Sequence, residues 1–264
     1  MELVDIQKTV DERMVALDQV GVCDLKYPIT VLDRSNGTQQ TIANVALSVS
    51  LPAEVKGTHM SRFIVVINAY RGEITMTAIP KILQDLKLKL EATAAQVSMT
   101  FPYFIEKAAP VSGLKGFIDC EATFHGESCP SGEKFHLVVK VPVSSLCPCS
   151  KAISDYGAHN QRGTVEMNVH LAEKNGKLPK LWIEELFEIA EASASAPLYP
   201  LLKRTDERFV TMQAYENPAF VEDIVRNVAV RLRDDERISS FEVKVTNFES
   251  IHAHNAFAVT RFSR

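Results

Sequence analysis

Apolar and polar positions along this chain change period several times, and each change marks an expected element. Val45, Leu47, Val49 and Leu51 alternate with small or polar residues, which predicts a strand. Phe63, Ile64, Val65, Val66 and Ile67 form an unbroken apolar run that reads as a buried strand. Around Pro80, the residues Ile79, Ile82, Leu83, Leu86 and Leu90 recur at helical spacing and predict an amphipathic helix over 79–93. Two further strands are expected at 95–104 and 112–125, separated by Pro110 and Gly113. Residues 1–40 are polar and weakly periodic, and read as an N-terminal arm with short structure.

The order then starts again. Segments 134–143 and 163–171 read as strands, and Ile183, Leu186, Phe187 and Ala190 mark a helix. Phe220, Ile224, Val228 and Leu232 mark another, with Asn217 as its expected N-cap and Pro218 at its first position. Strands at 238–248 and 255–262 close the chain. Each half therefore reads as a strand pair, a helical segment and a second strand pair. The expected class is α+β with antiparallel sheets: a first module over 41–130 and a second over 131–264 that carries most of the chemistry. Open strand edges in such a chain need covering, and oligomerisation is one way to cover them.

Composition narrows the function classes. The chain has 264 residues, 46% hydrophobic and 23% charged, as expected of a protein that buries a core. A net charge of −4 leaves no basic stripe for nucleic acid, although a local pocket can still receive a polyanionic small molecule. Glu2 and Asp5 stand where a signal peptide would be basic, and no apolar segment follows them. The run at 63–67 is far too short to span a bilayer. The expectation is a cytoplasmic protein. Cys23, Cys120, Cys129, Cys147 and Cys149 are odd in number and lack the spacing of a disulfide framework.

Four polar islands interrupt the second half: Ser145 to Ser150, Tyr156 to Arg162, Leu202 to Glu207, and Asn247 to Asn255. Cys147 and Cys149 are two apart at the end of an expected strand, a spacing that turns both thiols to one face. Pro148 between them is read as biasing the backbone toward the extended region. His252 and His254 share that spacing. Cysteine, histidine and carboxylate together form the ligand set of catalytic zinc, which lowers the pKa of bound water to roughly 7. Structural zinc would favour short Cys-x-x-Cys pairs, which are absent. Plainer readings stand beside this one. The Cys-Pro-Cys unit can be two small buried hydrophobes. His159 can bond a turn backbone, and Asp206-Glu207 can be the acidic pair of a helix N-terminus. Cys23, Cys120, Cys129, His125, His136 and His170 read as structural.

The segment 141–162, Val-Pro-Val-Ser-Ser-Leu-Cys-Pro-Cys-Ser-Lys-Ala-Ile-Ser-Asp-Tyr-Gly-Ala-His-Asn-Gln-Arg, resembles the signature of the prokaryotic type IB GTP cyclohydrolases. Further pieces fall in the order of that family. They are Lys-Gly-Thr-His-Met-Ser-Arg-Phe at 56–63, Tyr-Pro-Leu-Leu-Lys-Arg-Thr-Asp-Glu at 199–207, Tyr-Glu-Asn-Pro at 215–218, Phe-Val-Glu-Asp at 220–223 and Ser-Ile-His-Ala-His-Asn-Ala-Phe at 250–257. Thr205 departs from the proline frequent in the family at that place.

The resemblance implies a bimodular tunnelling fold (T-fold), two fused antiparallel-sheet-plus-helices modules. It implies a homotetramer with active sites at subunit interfaces and one divalent metal per site, zinc, manganese or iron. It implies GTP as substrate, hydrolysed to 7,8-dihydroneopterin triphosphate and formate by metal-activated hydroxide at the guanine imidazole carbon. This is the first step toward folate and toward deazapurine tRNA modification. Carried over by position, Cys147, His159, Glu207 and His252 would be metal ligands. Cys149 would be the catalytic thiol, His254 the proton shuttle and Glu249 a supporting carboxylate. Glu222, or alternatively Glu216, would accept the guanine N–H groups. Lys203, Arg204 and Arg162 are candidates for the triphosphate by charge. The alternatives are an archaeal-like cyclohydrolase yielding a cyclic phosphate, a non-catalytic metal- or thiol-binding protein, and another purine-binding member of the same fold.

Overall fold

A computed structural model describes residues 5–70, 78–172 and 178–264. The opening residues through Glu2 of the signal-peptide argument lie outside the described residues. The chain runs β1 (Leu17–Asp33), β2 (Gly37–Leu51), α1 (Met60–Ala69), α2 (Ile79–Leu90), β3 (Ala95–Ala108) and β4 (Lys115–Cys129). It continues as β5 (Gly132–Leu146), α3 (Pro148–Ile153), β6 (Asn160–Leu171), α4 (Ile183–Ser193), α5 (Arg204–Glu216), α6 (Val221–Arg233), β7 (Ile238–Asn247) and β8 (Ala256–Ser263). The strands form one eight-stranded sheet in chain order. The pairs β1–β2, β2–β3, β6–β7 and β7–β8 are antiparallel. No helix among the described residues is long and apolar enough to cross a membrane.

Two compact units divide the chain, residues 1–101 with 123–136, and residues 102–122 with 137–264. In the first, alternation on β2 buries Ala43, Val45, Leu47, Val49 and Leu51 while Ile42 faces out. Two expectations change here. Residues 17–33 form a long strand rather than lying in an arm with short structure. The second half of β1 buries alternate residues, Tyr27, Ile29, Val31 and Asp33, whereas in the first half Val20, Val22 and Leu25 are half-buried and register shifts between Leu17 and Val20 and between Val22 and Leu25 interrupt the period. Asp33 ends the strand by accepting the backbone N–H groups of Ser35 and Asn36, a local turn that leads into Gly37 at φ +81°.

The apolar run at 63–67 is helical, not a strand. Phe63, Val66 and Ile67 are buried and Val65 is exposed, a three-and-four spacing that a five-residue run cannot declare by itself. The helix packs on α2, whose buried face of Ile79, Ile82, Leu83, Leu86 and Leu90 follows the predicted stripe.

In the second unit, α6 lies against β7, β8 and α4 through Val221, Ile224, Val225, Val228 and Leu232. Burial of each such side chain contributes about 1.5–3 kcal/mol. Its start also differs from expectation. Asn217 closes α5, donating from its side chain to the carbonyl of Gln213 at 2.9 Å. The N-cap of α6 is Phe220, whose N–H donates to the Asp223 carboxylate at 3.0 Å.

Candidate active site

The strand end that precedes Cys147 is held by buried polar contacts. The Ser145 hydroxyl donates to the carbonyl of Ala219 at 2.9 Å and accepts from the Asn247 side chain at 3.2 Å. The N–H of Leu146 donates to Ser195 Oγ at 3.0 Å, and its carbonyl accepts from the N–H of Ala219 at 3.1 Å. A Cβ at Gly163 would lie 2.6 Å from Asn247 Oδ1 and 2.9 Å from the Thr246 carbonyl, so the close approach of β6 and β7 here requires glycine.

Cys147 is the N-cap of α3, and its sulfur accepts the N–H of Ser150 at 3.4 Å. Pro148 occupies the first helical position, where its missing N–H costs nothing. This corrects the period-two argument. Cys149 lies within the helix and is exposed, so the two cysteines are not alternate residues of an extended strand.

His159 is joined to this corner by its backbone. Its carbonyl accepts the N–H of Cys147 at 3.1 Å, and its own N–H donates to Ser150 Oγ at 3.2 Å. Gly157, two residues earlier, has φ +137°, a conformation that favours glycine. The His159 ring has Nδ1 2.8 Å from Gln161 Oε1 and 3.2 Å from Ser250 Oγ. Gln161 in turn donates to Glu249 at 3.2 Å. The island at 145–150, the one at 156–162 and the one at 247–255 therefore converge through Cys147, Ser150, His159, Gln161, Glu249 and Ser250. His252 and His254 stand exposed on the loop after β7, their rings stacked with centroids 5.1 Å apart and planes 17° apart.

The remaining candidates lie elsewhere in the same unit. Lys203 is the N-cap of α5, with Arg204 and Glu207 in its first turn, all three exposed. Arg162 is exposed near the start of β6, its carbonyl accepting the N–H of Phe248 at 2.9 Å. Glu222 is exposed in the first turn of α6. Glu216, at the end of α5, lines a cleft of about 670 Å³ with Glu188, Glu191, Gln213 and Asn227. Among the described residues of one chain, no three His, Cys, Asp or Glu side chains gather as a metal-holding set. Cys147, His159, Glu207 and His252 thus do not meet as a group within one chain.

Three participants were not read from the sequence. Gln161, Ser150 and Ser250 carry no local signal of their roles. Asp206 was read only as part of a helix-start pair, yet it is fully buried. It accepts from the N–H groups of Val111, Ser112 and Lys203 at 2.8–2.9 Å and from the Ser112 hydroxyl at 2.7 Å. Its place at the third position of α5 is the one readable hint.

An α+β chain with this sheet shares its fold with uricases. The uricase of Arthrobacter globiformis superposes with a TM-score of 0.56 at 10% identity, over 94% of this chain and 93% of that one. A urate oxidase from Bacillus sp. TB-90 aligns with a TM-score of 0.53, also at 10% identity, over 94% and 100% of the two chains. Sequence then separates the particular family from the fold. Residues 3–258 match the family described as type I GTP cyclohydrolase folE2, and the chain belongs to it. The GTP cyclohydrolase FolE2 of Desulfosudis oleivorans is 51% identical over 262 residues, 98% of each chain. That of Thermosipho melanesiensis is 48% identical over 254 residues, 96% of each.

Proposed function

We propose that this protein is a type IB GTP cyclohydrolase that converts GTP to 7,8-dihydroneopterin triphosphate and formate in the cytoplasm, at the entry to folate synthesis. The observation that carries the reading is the corner where Cys147 and His159 pair through their backbones, beside Gln161, Glu249 and Ser250. It coincides with the signature segment of a chain whose relatives, about half identical over nearly their whole length, are named GTP cyclohydrolases.

Cys147 and His159 have the donor chemistry of a divalent metal site, and Glu207 and His252 are the proposed remaining ligands. One chain does not assemble them, so the complete set is proposed to form between neighbouring copies. A homotetramer of bimodular T-fold chains would provide this, and β1 and β8, at the two ends of the strand order, are the edges available for pairing. Phe257 and Val259 are exposed on β8. When bound, zinc, manganese or iron supplies a Lewis acid that makes hydroxide available at neutral pH.

The chain's own groups have the following proposed parts. Glu222, with Glu216 as the alternative, accepts two parallel N–H groups from the guanine edge. Lys203, Arg204 and Arg162 receive the triphosphate. His254 protonates the guanine imidazole ring, which makes carbon 8 electrophilic toward water. Cys149 acts on the carbon-8 intermediate. A second hydration releases formate, after which the ribose opens and the pterin ring closes.

Incubation with GTP, followed for formate and for a fluorescent oxidised pterin, tests the reading. The expected product mass is that of the linear triphosphate. A cyclic phosphate would instead support the archaeal-like reaction, and absence of formate would sink both.

A further inference from the structure

Gln161, near the start of β6, is only 8% exposed and stands between two side chains used in the proposed function. Its amide nitrogen donates to Glu249 Oε1 at 3.2 Å, and its amide oxygen lies 2.8 Å from His159 Nδ1. The two contacts constrain each other. A carboxylate only accepts, so the end of the amide facing Glu249 is the NH2 group. The opposite end is then the carbonyl oxygen, which also only accepts. His159 Nδ1 must therefore carry the ring hydrogen, and the lone pair falls on Nε2. Ser250 Oγ, 3.2 Å from the same Nδ1, can donate or accept and so does not select a tautomer. The backbone at His159 is independently tied to Ser150 and Cys147, which leaves the tautomer to the side-chain relay.

We propose that Gln161 is a positioning residue that transmits the polarity of Glu249 to His159, locking its imidazole as the Nδ1–H tautomer and presenting Nε2 as an electron pair. The inference deepens the role given to His159 above and rests on that role for its meaning. It also gives Glu249 a defined function at a distance, as the charge that orients the amide.

The test uses the full-length protein labelled with 15N-histidine and freed of metal with a strong chelator, since a metal on Nε2 would by itself leave hydrogen on Nδ1. Long-range 1H–15N correlation above neutral pH shows which ring nitrogen bears hydrogen, and the His159 signal is identified by its loss in His159→Asn. The unaltered protein should show hydrogen on Nδ1 and a lone pair on Nε2. In Gln161→Leu, with folding verified by circular dichroism, that preference should be lost. In the double variant Gln161→Glu/Glu249→Gln, the introduced amide donates to the introduced carboxylate, which still accepts from Nδ1, and the preference should return. Hydrogen on Nε2 in the unaltered protein overturns the inference, as does an unchanged tautomer in folded Gln161→Leu. Should Gln161→Leu not fold, the unaltered protein and the swapped pair decide the question. Formate release from GTP is read on the same samples after zinc or manganese has been restored. An intact Nδ1–H tautomer without formate would remove the cyclohydrolase reading and leave the relay standing.

Discussion

Asp206 and Ser112 are joined by two hydrogen bonds: the Ser112 N–H donates to Oδ1 at 2.8 Å and its hydroxyl donates to Oδ2 at 2.7 Å. The pair ties the turn after β3 to the first turn of α5, the helix that begins with Arg204 and carries Glu207. Burial opposes ionisation of Asp206, but hydrogen bonds from Ser112, Lys203 and Val111 outweigh it and hold the carboxyl well below its ordinary 3.8. A depressed carboxylate stabilises the folded state above its unfolded pKa and loses that contribution as pH falls below it. Asp206→Asn should lower the thermal midpoint by several degrees at neutral pH and flatten the loss of stability below pH 3.8. Melting curves across an acid series check both effects. Equal acid sensitivity in the two proteins would contradict this account of Asp206.

A second prediction concerns Lys107 on β3. Its ammonium pairs with Glu191, donates to the Leu198 carbonyl at 2.7 Å and lies 4.1 Å from the Tyr199 ring centroid. Burial pushes Lys107 down and Glu191 up, so each depends on the other to stay charged. Lys107→Met should cost about 3–5 kcal/mol, because Glu191 is left buried without its partner. Lys107→Met/Glu191→Leu should recover much of that loss, since the desolvation cost leaves with both charges. Denaturant unfolding of the two variants measures the difference.

The cysteines should differ in alkylation. Burial pushes the Cys120 thiol up to about 12, so it should react only on unfolding. A hydrogen bond with Asp24 raises Cys23, while hydrogen bonds from Ser131 lower Cys129. Cys129 should therefore be labelled faster than Cys23 at neutral pH. Time-resolved mass spectrometry of the labelled native protein reads the order directly.

For the proposed chemistry, Cys149→Ala should abolish formate release while metal content is retained. Normal turnover would remove the thiol from the mechanism. His254→Ala should lower kcat by about 10²–10⁴-fold, the usual contribution of a general acid. Stripping with a strong chelator should stop formate release, and zinc or manganese should restore it. Full activity in verified metal-free protein would rule out the metal role.

Local patterning made much of the fold legible. The stripe of α2 and the alternation of β2 gave those elements their type, because each buries one face against its own unit. In the second half the strands on either side of the helices were likewise readable; in the first half the expected strand pair was wrong, because 17–33 reads as an arm and 63–67 as a strand. The first half of β1 was not legible, since Val20, Val22 and Leu25 are only half-buried and register shifts between Leu17 and Val20 and between Val22 and Leu25 break the period. The site was legible as residue types and as a signature segment. Its geometry was misread at Pro148, where one proline is compatible with either an extended strand end or a helix start.

From the sequence alone came the α+β class, most strand positions, the helices α2, α4 and α6, and the family signature with its cysteine and histidine candidates. Tertiary structure decided that 63–67 is a helix, that Cys149 is separated from Cys147 by a helix start, and that Gln161 and Asp206 are hubs. The physical reason is range. Periodicity reports which face of a segment is buried, a property set by near neighbours. Hydrogen-bond partners 88 residues apart for Gln161 and Glu249, or 94 for Ser112 and Asp206, exist only once distant segments have packed.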